Sequence, residues 1–230
     1  MLEAAGKAPI NWDPSASSSG APMAAPSTRE QRSTGEPKVM GTVTEIMLDS
    51  DDVLVCPNED TLYAFVDGSC CNNGKLHASA GYAAIIVNTA TMYQITGVVD
   101  GPGSPTNNRA ELMALRDLFA LMSSEEFITS VGNMPITIVY DSAYAVGCIR
   151  EWYEQWCKIP PPEVKANLDI ISVAYDLFKR VSCARTITWE KIKSHTPEPP
   201  EDSSPIMEWY KWQGNKKVDE LAYNKAHGQE

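Results

Sequence analysis

Two apolar runs in this chain end in an aspartate: Phe65-Val66-Asp67 and Val139-Tyr140-Asp141. A carboxylate directly after a buried-looking run is unfavourable without a partner, so such a residue either caps a turn or belongs to a site. Two further acids stand near the starts of helix-like segments, Glu111 in TNNRAELMALRDLFALM and Asp219 in GNKKVDELAYNKAH. The helix dipole alone favours acids there, so each is weak by itself. Together the four offer an all-oxygen donor set. No C-x-x-C pair and no Cys/His cluster with zinc spacing accompanies them, so Mg²⁺ or Mn²⁺ suits the set better than zinc. Two divalent ions roughly 4 Å apart can activate a water and stabilise a leaving alkoxide, which is what hydrolysis of a phosphodiester requires. Spacing alone leaves the capping and site readings open. Asp117 and Glu220 read as ordinary acids of a solvated helix face.

The elements that would position these residues follow from hydrophobic periodicity. LYAFVDGS reads as a buried strand running into a turn, and GYAAIIVN and MYQITGVVD as two more strands of an antiparallel meander. TNNRAELMALRDLFALM reads as a helix with Asn107 or Asn108 as its N-cap. PITIVYD is a fourth strand and SAYAVGCIREWYEQW a second helix. After the Pro160-Pro161-Pro162 break, a third helix is expected over Val164 to Val181, then the strand RTITWEKI. A Pro/Glu/Asp/Ser-rich loop leads to the last helix, GNKKVDELAYNKAH. The order βββαβααβα predicts an α/β fold with one mixed five-stranded sheet flanked by helices.

Composition bounds the rest. At 230 residues with 43% hydrophobic content, the chain can hold one ordinary domain plus a tail. Residues 1–40 are rich in Ser, Pro and Ala without hydrophobic period and read as a disordered tail; Ile10 and Trp12 stand isolated in it. Residues 41–60 read as an acidic transitional segment, with a short strand expected over Val53 to Cys56. Residues 61–228 read as the globular domain. No apolar stretch is long enough to span a membrane, and neither a signal peptide nor a transit peptide is expected. The six cysteines read as mostly buried free thiols of an intracellular protein, cytoplasmic or nuclear, with an organellar destination left open. The net charge of −11 is unusual for a protein that binds phosphates. The first 60 residues hold four basic and ten acidic groups, so much of the imbalance lies outside the globular part.

The local motifs around the acids are more specific than their spacing. Over about residues 61–228 the chain resembles the type 1 ribonuclease H family. Val66-Asp67-Gly68-Ser69-Cys70 is similar to the family's first motif, and Gly81-Tyr82-Ala83-Ala84-Ile85 to its next strand. Thr106-Asn107-Asn108-Arg109-Ala110-Glu111-Leu112 resembles the helix motif carrying the second acid, and Tyr140-Asp141-Ser142 the third motif. His195 stands in the expected loop, and Gly214-Asn215 with Val218-Asp219-Glu220-Leu221-Ala222 resembles the last helix. The resemblance implies an RNase H-like fold and an endoribonuclease that cuts the RNA strand of RNA–DNA hybrids. It implies that Asp67, Glu111, Asp141 and Asp219 hold two Mg²⁺ ions, with Mn²⁺ a possible substitute, and that the products carry 5′-phosphate and 3′-hydroxyl ends. It also implies that His195 assists proton transfer or product departure. Thr106, Asn107, Asn108, Ser142 and Asn215 become expected contacts to the hybrid, read by shape rather than sequence. His77 and His227 gain no such role.

Three departures from the family pattern bear on targeting. The spacing from His195 to Asp219 is longer than in the bacterial enzymes, and the added PEPPEDSSPIMEWYKW reads as a passive loop in preference to a lid or a partner surface. Trp152 and Trp156 match a tryptophan-containing handle that grips DNA in some members, but the following CKIPPPE is barely basic, so packing is the expected role. The tail does not resemble a hybrid-binding module, and a partner protein is one candidate for it. Both a stand-alone enzyme and a domain processed from a viral or retroelement polyprotein fit. The alternative function is a non-catalytic RNase H-like module for nucleic-acid binding or assembly. A DNA-acting integrase or resolvase relative is disfavoured by Asn107-Asn108-Arg109 and by Asp219.

Overall fold

Alternating apolar residues on the central strands dictate a sheet covered on both faces. In β2 (Leu62–Cys71), Leu62, Ala64 and Val66 enter one apolar cluster while Phe65 enters another, as the two-residue period of a strand requires. In the computed structural model, residues 38–49, 52, 54–158, 165–199 and 206–229 are described. Residues 1–37 of the expected 1–40 tail, with Ile10 and Trp12, lie outside them, while Met40 is bonded to the domain through Asp117.

The sheet has six strands in the order β1-β4-β3-β2-β5-β6. β2 pairs antiparallel with β3 (Ser79–Val87), which pairs antiparallel with β4 (Thr91–Val98). On its other side β2 runs parallel to β5 (Ile136–Tyr140), and β5 parallel to β6 (Ile187–Lys191). The two parallel pairs need crossover connections. The first contains α1 (Asn107–Met122) and the short α2 (Glu125–Val131). The second contains α3 (Ala143–Gly147), a π-helical turn at Cys148–Trp152, α4 (Tyr153–Trp156) and α5 (Leu168–Ala184). The long α6 (Ile206–Ala226) closes the chain over the opposite face.

The sixth strand, β1 (Thr42–Met47), is not part of the five-stranded expectation. It pairs along its whole length with β4 at the sheet edge. Its TVTEIM sequence has the β-branched residues of a strand, but five of its six side chains are exposed, which hides the usual apolar alternation. What fixes it is Asp117. Far from a solvated face, Asp117 is fully buried. It accepts the Met40 and Gly41 backbone N–H groups at 3.0 and 2.8 Å and the Tyr82 hydroxyl at 2.8 Å, and it pairs with Arg116. Asp117→Ala would strand the buried Tyr82 hydroxyl and free the part-buried Met40 and Gly41 N–H groups, and is expected to lower unfolding free energy by about 1–3 kcal/mol, measured by urea titration.

Other boundaries also differ from the sequence reading. No strand covers Leu54–Cys56; both named residues are buried in a loop against the α6 face, and Val53 lies outside the described residues. Thr106, not Asn107 or Asn108, caps α1, its hydroxyl accepting the Arg109 N–H at 3.2 Å. The seven-residue α2, capped by Ser124, joins the expected helices. α5 begins after Asn167, which has left-handed backbone, and reaches Ala184. α6 begins at Ile206, so half of the expected loop is helix; Tyr210 buries its ring edge-on against Tyr63 and Phe65 at 5.4 and 5.8 Å. The cysteines are free, but only Cys56 and Cys148 are buried, while Cys157 and Cys183 are exposed.

Two glycines set the distances between layers. A Cβ on Gly68 would stand 2.4 Å from the Glu111 backbone nitrogen, so α1 reaches β2 only because that side chain is absent. A Cβ on Gly214 would stand 2.3 Å from the Phe65 ring, giving α6 the same closeness on the other face.

Candidate active site

The parallel β2–β5 pair brings the first two acids together. Phe65 registers with Val139, so two residues further on Asp141, just past the end of β5, comes beside Asp67, which is still inside β2 and pairs with Ala83 of β3; the strand runs on to Cys71 where a turn was expected. Glu111 comes from the first turns of α1, which Gly68 admits close to the strand. Arg109, buried beside it, forks onto the Asp169 carboxylate at 3.1 and 2.7 Å and so ties the start of α1 to the start of α5. Ligand atoms of Asp67, Glu111 and Asp141 all lie within 4.8 Å of one another. Asp219, on α6, lines the same cleft of about 470 Å³. The structure thus brings all four predicted acids to one cleft, three as a tight cluster and Asp219 at its half-exposed rim.

The cluster is electrostatically unfavourable by itself. Asp67 and Glu111 are 7% and 6% exposed. Burial, followed by the charges of Asp141 and Asp219, pushes the Asp67 carboxyl up to about 8, against one favourable bond from the Gly68 N–H at 2.8 Å. Burial, then the charges of Asp67 and Asp141, holds Glu111 well above the carboxylate range; the Asn107 amide, donating to Oε1 at 3.2 Å, partly offsets this. Asp141 Oδ1 is buried with no hydrogen-bond partner. An orphaned carboxylate oxygen amid crowded acids fits a hard divalent cation, which would supply the missing partner and the missing charge.

A pH dependence follows. The folded-state pKa of Asp67 lies above its unfolded value, so its ionisation destabilises the metal-free fold progressively as pH rises from about 4 to about 8. A cation requires the ionised form, so Mg²⁺ affinity is expected to climb with pH up to about 8 and flatten beyond it. Calorimetric titration with Mg²⁺ at pH 7 in two buffers of different ionisation enthalpy should register proton release.

His195 lies on the loop after β6, exposed, with left-handed backbone at φ 52°; its Nδ1 stands 3.8 Å from Asp219 Oδ2. Among the expected substrate contacts, Asn107, Ser142 and Asn215 line the cleft. Ser142 also caps α3 through the Ala145 N–H at 3.3 Å. Thr106 is occupied in capping α1, and Asn108 is exposed at the helix start; neither lines the cleft. Ser69, Ser194 and Tyr223 line it without having been predicted. Tyr223 stands one helical turn beyond Asp219, an i, i+4 relation legible in the sequence. Trp152 and Trp156 stack loosely at 6.3 Å and pack on the main core, with Trp152 filling the space beside Gly147.

The RNase H family model matches residues 59–227. Ribonuclease H of Pseudomonas syringae pv. syringae is 27% identical over 168 residues, covering 71% of this chain and 90% of that protein. Ribonuclease H of Schizosaccharomyces pombe is 30% identical over 149 residues, covering 63% and 50%. Among solved structures, LC9-RNase H1 superposes with a TM-score of 0.51 at 15% identity over 75% of each chain. The native protease-reverse transcriptase of prototype foamy virus gives 0.52 at 16% identity, over 72% of this chain and 21% of that one; both share the fold. With the acids converging on one cleft and the family model spanning nearly all of the globular part, this chain belongs to the ribonuclease H family.

Proposed function

We propose that this protein hydrolyses the RNA strand of RNA–DNA hybrids with two Mg²⁺ ions held by Asp67, Glu111, Asp141 and Asp219. The observation that carries the reading is the tight cluster of buried Asp67 and Glu111 with half-buried Asp141, whose Oδ1 is unpartnered. The ions, when bound, supply an acidified water and charge neutralisation at the departing oxygen. The residues do the rest. Gly68 N–H and the Asn107 amide orient the Asp67 and Glu111 carboxylates. Asn107, Ser142 and Asn215 line the cleft where the sugar-phosphate backbones would pass, and Thr106 and Asn108, at the start of α1, are proposed as further contacts to the hybrid. Water adds to the scissile phosphorus, the bond from phosphorus to the 3′ oxygen breaks, and that oxygen takes up a proton. The products are a 5′-phosphate and a 3′-hydroxyl. His195, at the cleft mouth beside Asp219, assists the proton transfer or the departure of the cut end.

The experiment is cleavage of an internally labelled hybrid with Mg²⁺, then with Mn²⁺ or EDTA, followed by end-group analysis. Fragments that a phosphatase makes competent for 5′ relabelling, and that a polymerase extends from the 3′ end, are expected. Asp141→Asn should bind the hybrid and leave it intact. Fragments ending in a 2′,3′-cyclic phosphate would contradict the mechanism.

A further inference from the structure

The His195 loop is short of internal support. His195 is exposed, and a left-handed backbone is unfavourable for a residue with a side chain. The loop is nevertheless held on both sides of it. At its root the Ile192 N–H donates to the Tyr140 carbonyl at 2.9 Å, fixing it to the end of β5 beside Asp141. Immediately after His195, the Thr196 carbonyl accepts the indole N–H of Trp212 at 2.9 Å. Trp212 belongs to the first turns of α6, the part that replaces the expected loop.

Those turns form a firm frame. Tyr210 is buried against Tyr63 and Phe65, Lys211 pairs with Glu190 of β6, and the Lys216 ammonium lies 5.0 Å from the Trp212 ring centre. Between this frame and the loop runs a groove of about 860 Å³ that shares His195, Asn215 and Asp219 with the acid cleft.

We infer that Trp212 is a positioning residue for His195: its indole N–H holds the Thr196 carbonyl and thereby keeps the imidazole at the mouth of the cleft beside Asp219. The inference rests on the role given to His195 above. Within the lengthened stretch between His195 and Asp219, the first turns of α6 then brace the loop that carries the histidine.

Trp212→Phe removes the N–H and keeps an aromatic ring beneath Lys216. Steady-state hydrolysis of an RNA–DNA hybrid in Mg²⁺ is measured for wild type, Trp212→Phe, His195→Ala and the double variant. Trp212→Phe is expected to lower kcat about fivefold with KM within about twofold, and to add nothing in the His195→Ala background. Trypsin should also cut after Lys193 faster in Trp212→Phe while other sites keep their rates, a readout of loop tethering independent of catalysis. Equal losses in both backgrounds, or a rise in KM alone, would overturn the inference by making Trp212 a fold or substrate residue. A slowed His195→Ala beside a Trp212→Phe at the wild-type rate overturns the inference alone. A His195→Ala at the wild-type rate overturns the role of His195 and the inference with it.

Discussion

Asp67→Asn is expected to lower hybrid hydrolysis by about 10³-fold and, in metal-free buffer at pH 8, to raise the melting temperature by about 3–6 °C. Both effects have one cause. Asp67 is buried within 4.8 Å of two other carboxylates, and its pKa stands near 8 because burial and Asp141 oppose its charge. An amide keeps the oxygen that accepts the Gly68 N–H and removes the charge. The stabilisation should be absent below about pH 4, where the acid is neutral in both folded and unfolded chains, and should grow toward pH 8. Its size at pH 8 is expected to be about 1–2 kcal/mol. Mg²⁺ should reverse the order, stabilising wild type more than the variant, because only the intact cluster binds it tightly. Differential scanning calorimetry with EDTA and with Mg²⁺ measures both. A variant that melts below wild type without metal would show that the acids are not in mutual repulsion.

Gly68→Ala should be nearly as damaging without touching a carboxylate. The new methyl would lie 2.4 Å from the Glu111 nitrogen, 2.6 Å from the Ala110 carbonyl carbon and 2.7 Å from the Ala110 Cβ. These are atoms of the α1 backbone and its shortest side chain, so no flexible group can yield. The helix must retreat by about 1 Å, carrying Glu111 away from Asp67 and Asp141, and a displacement of that size costs about 10²-fold in rate. The overpacking should also destabilise the fold by about 1–3 kcal/mol. Hybrid cleavage at saturating Mg²⁺, together with urea unfolding, checks the pair. Full activity at reduced stability would mean that the α1–β2 spacing does not set the site.

The central strands β2, β3 and β5 are legible because they are largely buried on both faces and read as apolar runs, as in PITIVYD. Asp141 and Glu111 stand at the strand end and helix start that the sequence suggests, whereas Asp67 lies within β2 and Asp219 well inside α6, because β2 runs on to Cys71 and α6 begins at Ile206. Their convergence needed the parallel β2–β5 register, which no local pattern encodes; the motif resemblance stood in for it. What escaped depended on tertiary partners. β1 is an edge strand with exposed side chains, held by a buried carboxylate 76 residues away from Gly41. Asp117 looked like a surface acid because its neighbours in sequence are helical, whereas its partners come from β3 and the Met40-Gly41 segment. The early start of α6 was masked by the preceding prolines and acids, although Tyr210 provides a buried anchor four residues before Gly214. Asn107 was read as a substrate contact, and its hydrogen bond to Glu111 adds a second task one helical turn along.

Substrate choice is the most direct test of hybrid-specific hydrolysis at this cleft. Equal amounts of RNA–DNA, RNA–RNA and DNA–DNA duplexes of one sequence, incubated with the protein in Mg²⁺, should yield fragments from the RNA strand of the hybrid alone, and none with Asp141→Asn. A folded protein that leaves the hybrid intact in both Mg²⁺ and Mn²⁺, or that cuts the DNA duplex equally well, would contradict it.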